Sequence, residues 1–390
     1  RVLDKKTAEA REIIVSWLKK ERLLEKEEEI AQNVAVADRT GGLIEPLPKL
    51  QWFIDVNKTI PGRGKSLKDL MREPVADGKI KIIPEHFGKT YFHWINNLRD
   101  WCISRQIWYG HRIPVWYRQK LKAKNSKLKT KETTKIDSEI YCGVEAPEGN
   151  GWTQDPDTLD TWFSSGLWTF STLGWPEQTQ DLKIYHPTDV LETGYEILFF
   201  WVARMILMTG YTLSDIPFRT VYLHGTVRDA KGRKMSKSLG NGIDPIEIAK
   251  KFGADAARMA LVVGNTPGTD TRISEDKIKG YKHFANKLWN IARFILMNVE
   301  NSQSPDRPPE AITEDDKKIL ADIETLMKSM TKNLDTLYMH EAGQEIYQFA
   351  WHNFADIYIE KTKAQLQNPE QKENTSKILI YCLVNILKLL

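Results

Sequence analysis

The hydrophobic period of the chain changes near residue 265, and that change bounds the folds open to it. Downstream, Ile278, Tyr281, Ala285, Leu288, Ala292 and Ile295 recur at steps of three and four, one apolar stripe on a helix. Ile319, Ile323, Leu326, Met330 and Leu334 repeat the pattern, as do Ile346, Phe349, Ala350, Phe354 and Ile357. Such helices bury their stripes most economically against one another, so the end of the chain predicts an all-α bundle. A Pro-rich linker, "SQSPDRPPEAITEDD", interrupts it and closes on a helix start. Upstream, over roughly 49–265, strand-like runs (Trp52–Val56, Val221–His224) mix with helical ones, the texture of an α/β domain. Residues 5–29 read as a charged helix, followed by a Gly- and Pro-punctuated stretch that enters a strand.

Charge and cysteine content exclude several classes. The 390 residues hold 56 Lys plus Arg against 52 Asp plus Glu, a net charge of +4, so a nucleic-acid partner has to be argued from local patches. Cys102, Cys142 and Cys382 lie far apart with no CxxC spacing; neither a disulfide framework nor a zinc site is expected, and a cytoplasmic setting is. No apolar run reaches the roughly 18 residues of a membrane-spanning helix. The sequence opens without Met in helix-like residues and stops inside an amphipathic helix, so both ends are expected to be cut from a longer chain.

Four stretches invite a functional reading that their surroundings do not support. "IPGRGKSLKD" (60–69) ends in Gly64-Lys65-Ser66 like a phosphate-binding loop, but Thr59 stands where that motif needs its first glycine. His86 in "EHFGK" and His111 in "YGHRIP" sit beside glycines, and each reads as a satisfied structural residue before a catalyst. The lysine-rich, apolar-poor residues 118–135 predict an exposed hairpin or loop, with direct RNA contact as the lesser alternative.

"KGRKMSKSLGN" (231–241) differs because its flanks are specific. Before it, "TVYLHG" reads as a strand ending in His224-Gly225, and strand ends of open α/β sheets are where ligands bind. After it, "IDPIEIAKKFG" has a helix start, with Asp244 as N-cap, Pro245 at the first helical position and Glu247 completing a capping box, and Gly253 ends the helix. Strand, mobile Gly- and Lys-rich loop, helix: Lys234 and Lys237 are placed to swing onto a phosphate chain, with Gly232 and Gly240 supplying backbone freedom. A solvated basic loop is the plain alternative.

Lys234-Met235-Ser236-Lys237-Ser238 matches the KMSKS signature of class I aminoacyl-tRNA synthetases without a mismatch. "DWCISRQIWYGHRIPVWY" (100–117) resembles a block shared by the valine, isoleucine and leucine members. "DPDTLDTWFSSGLWTFSTLGWP" (155–176), "TGYEILFFWVARM" (193–205) and "DRTGGLIEPLPKLQWF" (38–53) resemble the valyl-tRNA synthetases in particular. The resemblance covers essentially the whole chain and implies an α/β fold: the second half of a Rossmann-like catalytic domain, then an incomplete all-α anticodon-binding bundle. It divides the chain into a remnant of the editing insertion with its exit strands (1–48), the catalytic half with the KMSKS loop (49–265), and a stem-contact region with part of the anticodon domain (266–390).

The implied reaction joins valine to ATP, with Mg2+, as valyl-adenylate and passes the valyl group to tRNA(Val); the expected enzyme is a monomer with no membrane partner. The resemblance gives Lys237, assisted by Lys234, the transferring phosphate region, with Met235, Ser236 and Ser238 completing the clamp. His224 and Gly225 fall where the family packs adenine, Gly194 fits close approach to the nucleoside, and Glu196 stands where the family more often has a ribose-binding Asp. Trp162, Ile197 and Trp201 fall on the walls of the amino-acid pocket. Rigid aromatic walls narrow an apolar slot against isoleucine, although such a slot rejects threonine poorly. Lys277, Lys279, Lys282, Lys287 and Arg293 are candidates for facing tRNA, and a solvated helix face explains them too.

Two departures matter. The family's second signature, His-Ile-Gly-His, is absent from these residues, and "HFGK" at 86 imitates it poorly, so the opposing half of the ATP site is expected upstream. The family's cysteine-rich zinc knuckle is reduced near Tyr141–Gly151 to Cys142 alone, so no metal site is expected. The chain is therefore expected to be inactive alone, with a catalytically silent tRNA-binding module or a synthetase paralogue as the alternatives.

Overall fold

A computed structural model describes residues 2–31, 33–37, 41–44, 48–119, 138–236, 240–299 and 305–390. It divides into a unit of 1–51 and a larger unit of 52–390. The first contains the helix Thr7–Lys20, which buries none of its residues, and a bridge between Val36 and Leu43. This helix stops nine residues short of the predicted end. Arg22 takes a left-handed φ of 58°, and the acidic run Glu27–Glu29 beyond it offers no apolar stripe to continue.

One of the hydrophobic cores of the second unit is built on a parallel three-stranded sheet. Phe218–His224 lies between Lys81–Ile83 and Thr188–Gly194, in register Val221 to Ile82 and Val221 to Leu191. Ile82, Leu191, Val221 and Leu223 are buried, and parallel sheets need cover of this kind. Part of it comes from Ala203–Thr212, whose residues from Ala203 to Gly210 are all buried, packed on Leu67–Ala76. Ser66, the end of the apparent phosphate motif, is the N-cap of Leu67–Ala76 in a full capping box with Asp69, and Lys65 pairs with Glu73, so that motif has a local structural use.

A second, antiparallel sheet joins Val115–Gln119 to Ser138–Cys142 and Trp152–Gln154. The two longer strands bracket the lysine-rich segment, most of which lies outside the described residues.

Beyond the KMSKS loop, Asp244 caps Pro245–Phe252 through the Ile246 amide at 2.8 Å, one residue short of where the expected box with Glu247 would place it. Gly253 follows at φ 94°. Ala254–Val262 packs against Glu275–Asn298, the first helix of the bundle, which continues with Glu314–Asp335, Met339–Gln348 and Pro369–Leu389. The stripes at Ile319, Ile323, Leu326 and Met330 and at Ile346, Phe349, Ala350 and Phe354 are buried as predicted, but Leu334 and Ile357 are exposed. At Ile357 the cause is local: Phe349–Tyr358 is π-helical, its wider turn slips the stripe by one residue, and Tyr358 is buried instead.

Candidate active site

The side chains singled out in the sequence gather at the carboxyl ends of two adjacent parallel strands. Gly194 pairs in register with His224, and a Cβ on Gly194 would make only ordinary van der Waals contact with the imidazole, at 3.4 Å. His224 Nδ1 lies 2.7 Å from the Gly225 carbonyl oxygen and Nε2 3.2 Å from Glu192 Oε1. His224 and Gly225 also line a cavity of about 310 Å3 with Glu192, Tyr222, Asn265 and His340.

Glu196 follows on the short 3-10 turn Tyr195–Ile197. Its Oε2 accepts from Lys234 Nζ at 2.6 Å and its Oε1 from the Thr226 hydroxyl at 3.1 Å. The bond from Lys234 holds the Glu196 carboxyl below its usual range. Two groups expected to meet ribose and phosphate thus meet each other. Both are well exposed, and pairs of this kind contribute roughly 0.2–1 kcal/mol, so the pair separates at little cost.

Two anchors that sequence reading missed shape the loop. Asp229 and Arg233 close a tight turn with Gly232 at φ 78°. Asn241 then reaches back, donating Nδ2–H to Asp229 Oδ2 at 3.0 Å and to the Lys234 carbonyl at 3.2 Å, and accepting the Ser236 amide at 2.9 Å. Met235 and Ser236 are half-buried within this staple; Lys237 and Ser238 lie outside the described residues. The second anchor is Asp270, which accepts from Thr226 N–H at 2.8 Å, from Tyr195 Oη–H at 2.9 Å and from Arg228. Burial opposes its ionisation, yet these donors, the Thr226 amide foremost, hold its carboxyl below the ordinary value. The only cue to either anchor was the turn-forming company of "DAKG", "LGNG" and "PGTD".

The bond from Asn241, reinforced by the Arg233 amide and guanidinium, lowers the Asp229 pKa to about 2 from 3.8. A depressed carboxylate favours the folded loop above its unfolded pKa, and that preference disappears as pH falls through the folded one. The staple is therefore expected to be complete above about pH 4 and to open towards pH 2. An NMR titration of the Asn241 side-chain amide checks this; a midpoint at the ordinary value of 3.8 would contradict it.

The expected pocket residues occupy two facing elements. Trp162 is on the short helix Thr161–Ser165, capped by Asp160; Ile197 and Trp201 lie on the 3-10 turn and the π-helical turn Leu198–Val202. The walls are joined by Trp201 Nε1–H donating to the Ser165 carbonyl at 3.0 Å and by Trp162 stacking on Phe200 with centroids 5.8 Å apart. Trp201 itself faces Trp168, at 5.9 Å. Of the two doubtful histidines, His111 Nδ1 bonds the Ser164 hydroxyl at 2.8 Å beside this helix, and His86 packs on Phe87. Among the described residues, no group of three or more His, Cys, Asp or Glu is placed to hold a metal ion, and no helix is long and apolar enough to cross a membrane.

A family model for tRNA synthetases class I (I, L, M and V) matches residues 5–274. The chain belongs to the class I aminoacyl-tRNA synthetases. A second model, anticodon-binding domain of tRNA ligase, matches residues 316–390 of this synthetase chain. The valine–tRNA ligase of Clostridium tetani is 44% identical over 386 residues, which are 98% of this chain and 42% of that protein. That of Bacillus subtilis is 42% identical over 389 residues, covering 98% and 41%. The chain spans about two fifths of the length of these relatives. Methionyl-tRNA synthetase of Mycobacterium tuberculosis, in complex with methionyl-adenylate, shares the fold at a TM-score of 0.66 and 19% identity, over 93% of this synthetase chain and 63% of that one. A leucine enzyme of Agrobacterium radiobacter K84 gives 0.57 and 20%, over 75% and 39%.

Proposed function

We propose that this chain supplies the KMSKS half of the adenylate-forming site of a valyl-tRNA synthetase, acting on valine, Mg2+-bound ATP and tRNA(Val). The observation that carries this reading is the convergence of Gly194, Glu196, His224, Gly225 and Lys234 on two neighbouring strand ends, in a chain whose relatives are valine–tRNA ligases. Adenine packs against His224 and Gly225, ribose hydroxyls take Glu196 from Lys234, and the freed lysine turns with Lys237 to the phosphates. Positive charge then arrives where negative charge develops as pyrophosphate leaves. Met235, Ser236 and Ser238 shape the clamp, and Trp162, Ile197 and Trp201 wall the valine side chain. The helices of residues 316–390 serve the tRNA.

No His-Ile-Gly-His occurs in these residues, so a protein made of them alone is expected to show no valine-dependent ATP–pyrophosphate exchange. Supplying in trans the His-Ile-Gly-His-bearing half of the Clostridium tetani relative is expected to give exchange with valine in preference to isoleucine, leucine and methionine. Robust exchange by the chain alone would overturn the half-site reading. No exchange in the mixture, alongside tRNA(Val) binding by the chain, would favour a silent tRNA-binding module.

A further inference from the structure

The side chain of Arg204 is 95% buried, since its relative exposure is 5%, and it takes no part in the site as described so far. Its guanidinium carbon lies 3.9 Å from the centre of the Trp101 ring and 5.0 Å from that of Phe199. Nη1 has no hydrogen-bond partner among the described residues. Burial lowers its pKa to about 10, opposed by the charge of Asp160. An incompletely paired buried cation is an expensive feature, and an apolar side chain of similar volume at such a place is often neutral or stabilising. Stability alone is a poor reason to have arginine here.

Its neighbours show what it does. Trp101 donates Nε1–H to Asp160 Oδ2 at 3.0 Å, and Arg105 pairs with the same oxygen at 3.1 Å. Asp160 caps the helix that holds Trp162, and the Trp101 ring meets Phe163, the next residue on that helix, at 6.0 Å. On the other side Phe199 meets Phe200 at 5.7 Å, and Phe200 stacks on Trp162. Phe199 and Phe200 belong to the π-helical turn that also carries Trp201, immediately before the helix Ala203–Thr212 whose second residue is Arg204. Between the rings, Arg204 bolts the two walls of the candidate pocket together: one through Trp101 and Asp160, the other through Phe199.

We propose that Arg204 is a positioning residue that sets the separation of the tryptophan walls, and so the choice and affinity of the amino acid, without touching it. The inference deepens the pocket reading above and rests on it. A planar cation between two aromatic faces has a narrow energy minimum that methionine lacks, while lysine keeps the charge but not the planar stack.

The first arm of the test uses the chain as it exists. Arg204→Met is expected to melt at or above the wild-type temperature, yet to speed amide hydrogen exchange about tenfold or more in residues 161–166 and 197–202. Unchanged exchange in both segments overturns the proposal, and so does a general loss of protection with a lower melting temperature, which marks a merely structural arginine. Arg204→Lys, the milder change, is expected to show the same two segments loosening to a lesser degree. The second arm uses the exchange-active mixture: KM for the amino acid should rise about 10–100-fold with KM for ATP within about twofold. An amino-acid KM that stays within twofold overturns the proposal. If wild type uses an amino acid other than valine and the split appears for that one, the valine reading fails and the role of Arg204 stands.

Discussion

Alanine at Gly225 is expected to lower the melting temperature of the chain by about 5 °C or more and to abolish valine-dependent exchange in the complemented mixture. A Cβ at this position would overlap the carbonyl of Thr269 and press on the Asp270 amide nitrogen at 2.5 Å. All these atoms are backbone, so no rotamer change relieves the clash. Overpacking costs about 1–3 kcal/mol where side chains can yield, and the cost here belongs at or above the top of that range. The push also moves Asp270, whose oxygens hold Thr226, Tyr195 and Arg228 around the turn that follows His224. Gly280→Ala is the control: it sits inside Glu275–Asn298, a Cβ there meets nothing within 4 Å, and it should gain about 0.5–1 kcal/mol of stability. Paired melting curves decide the matter; a Gly225→Ala shift under about 1 °C would show that the Thr269 loop yields freely.

Lys237→Ala should lower the rate of valine-dependent exchange in the complemented enzyme about 100–1000-fold, with KM for valine within about twofold. That range is what losing one charge-stabilising donor at a developing anion typically costs. Lys234→Ala should cost about two- to fivefold less, because Lys234 pairs with Glu196 and separating that pair offsets roughly 0.2–1 kcal/mol of what the lysine contributes. A Lys237→Ala enzyme within about fivefold of wild type would remove that lysine from the transition state and leave the loop a binding element only.

The parts of the site legible in the sequence were those written in local order. The strand before the loop, the helix after it and the five-residue signature between them are contiguous, and the comparisons support the family they pointed to. Asn241 and Asp270 were not legible as anchors, because an Asn in a Gly-rich turn and an Asp after one are ordinary turn chemistry until folding shows which groups they reach. Arg204 was read only as part of a family block: an arginine between alanine and methionine looks like any surface position of a helix until its burial is seen. In the stripe that starts at Ile346, a strict helical period gave the right face as far as Phe354 and then the wrong residue, because nothing in "FAWHNFADIY" announces a π-turn.

Asp270 also has a kinetic meaning. Its bonds close loops of 75 residues to Tyr195, 44 to Thr226 and 42 to Arg228. Loop-closure entropy grows only with the logarithm of length, so the longest of these closures costs just about 0.5 kcal/mol more than the shorter ones. Whichever forms first brings the chain ends together and leaves the others little further entropy to lose. The turn that follows His224 is therefore expected to be acquired in one cooperative step, its three bonds to Asp270 forming together.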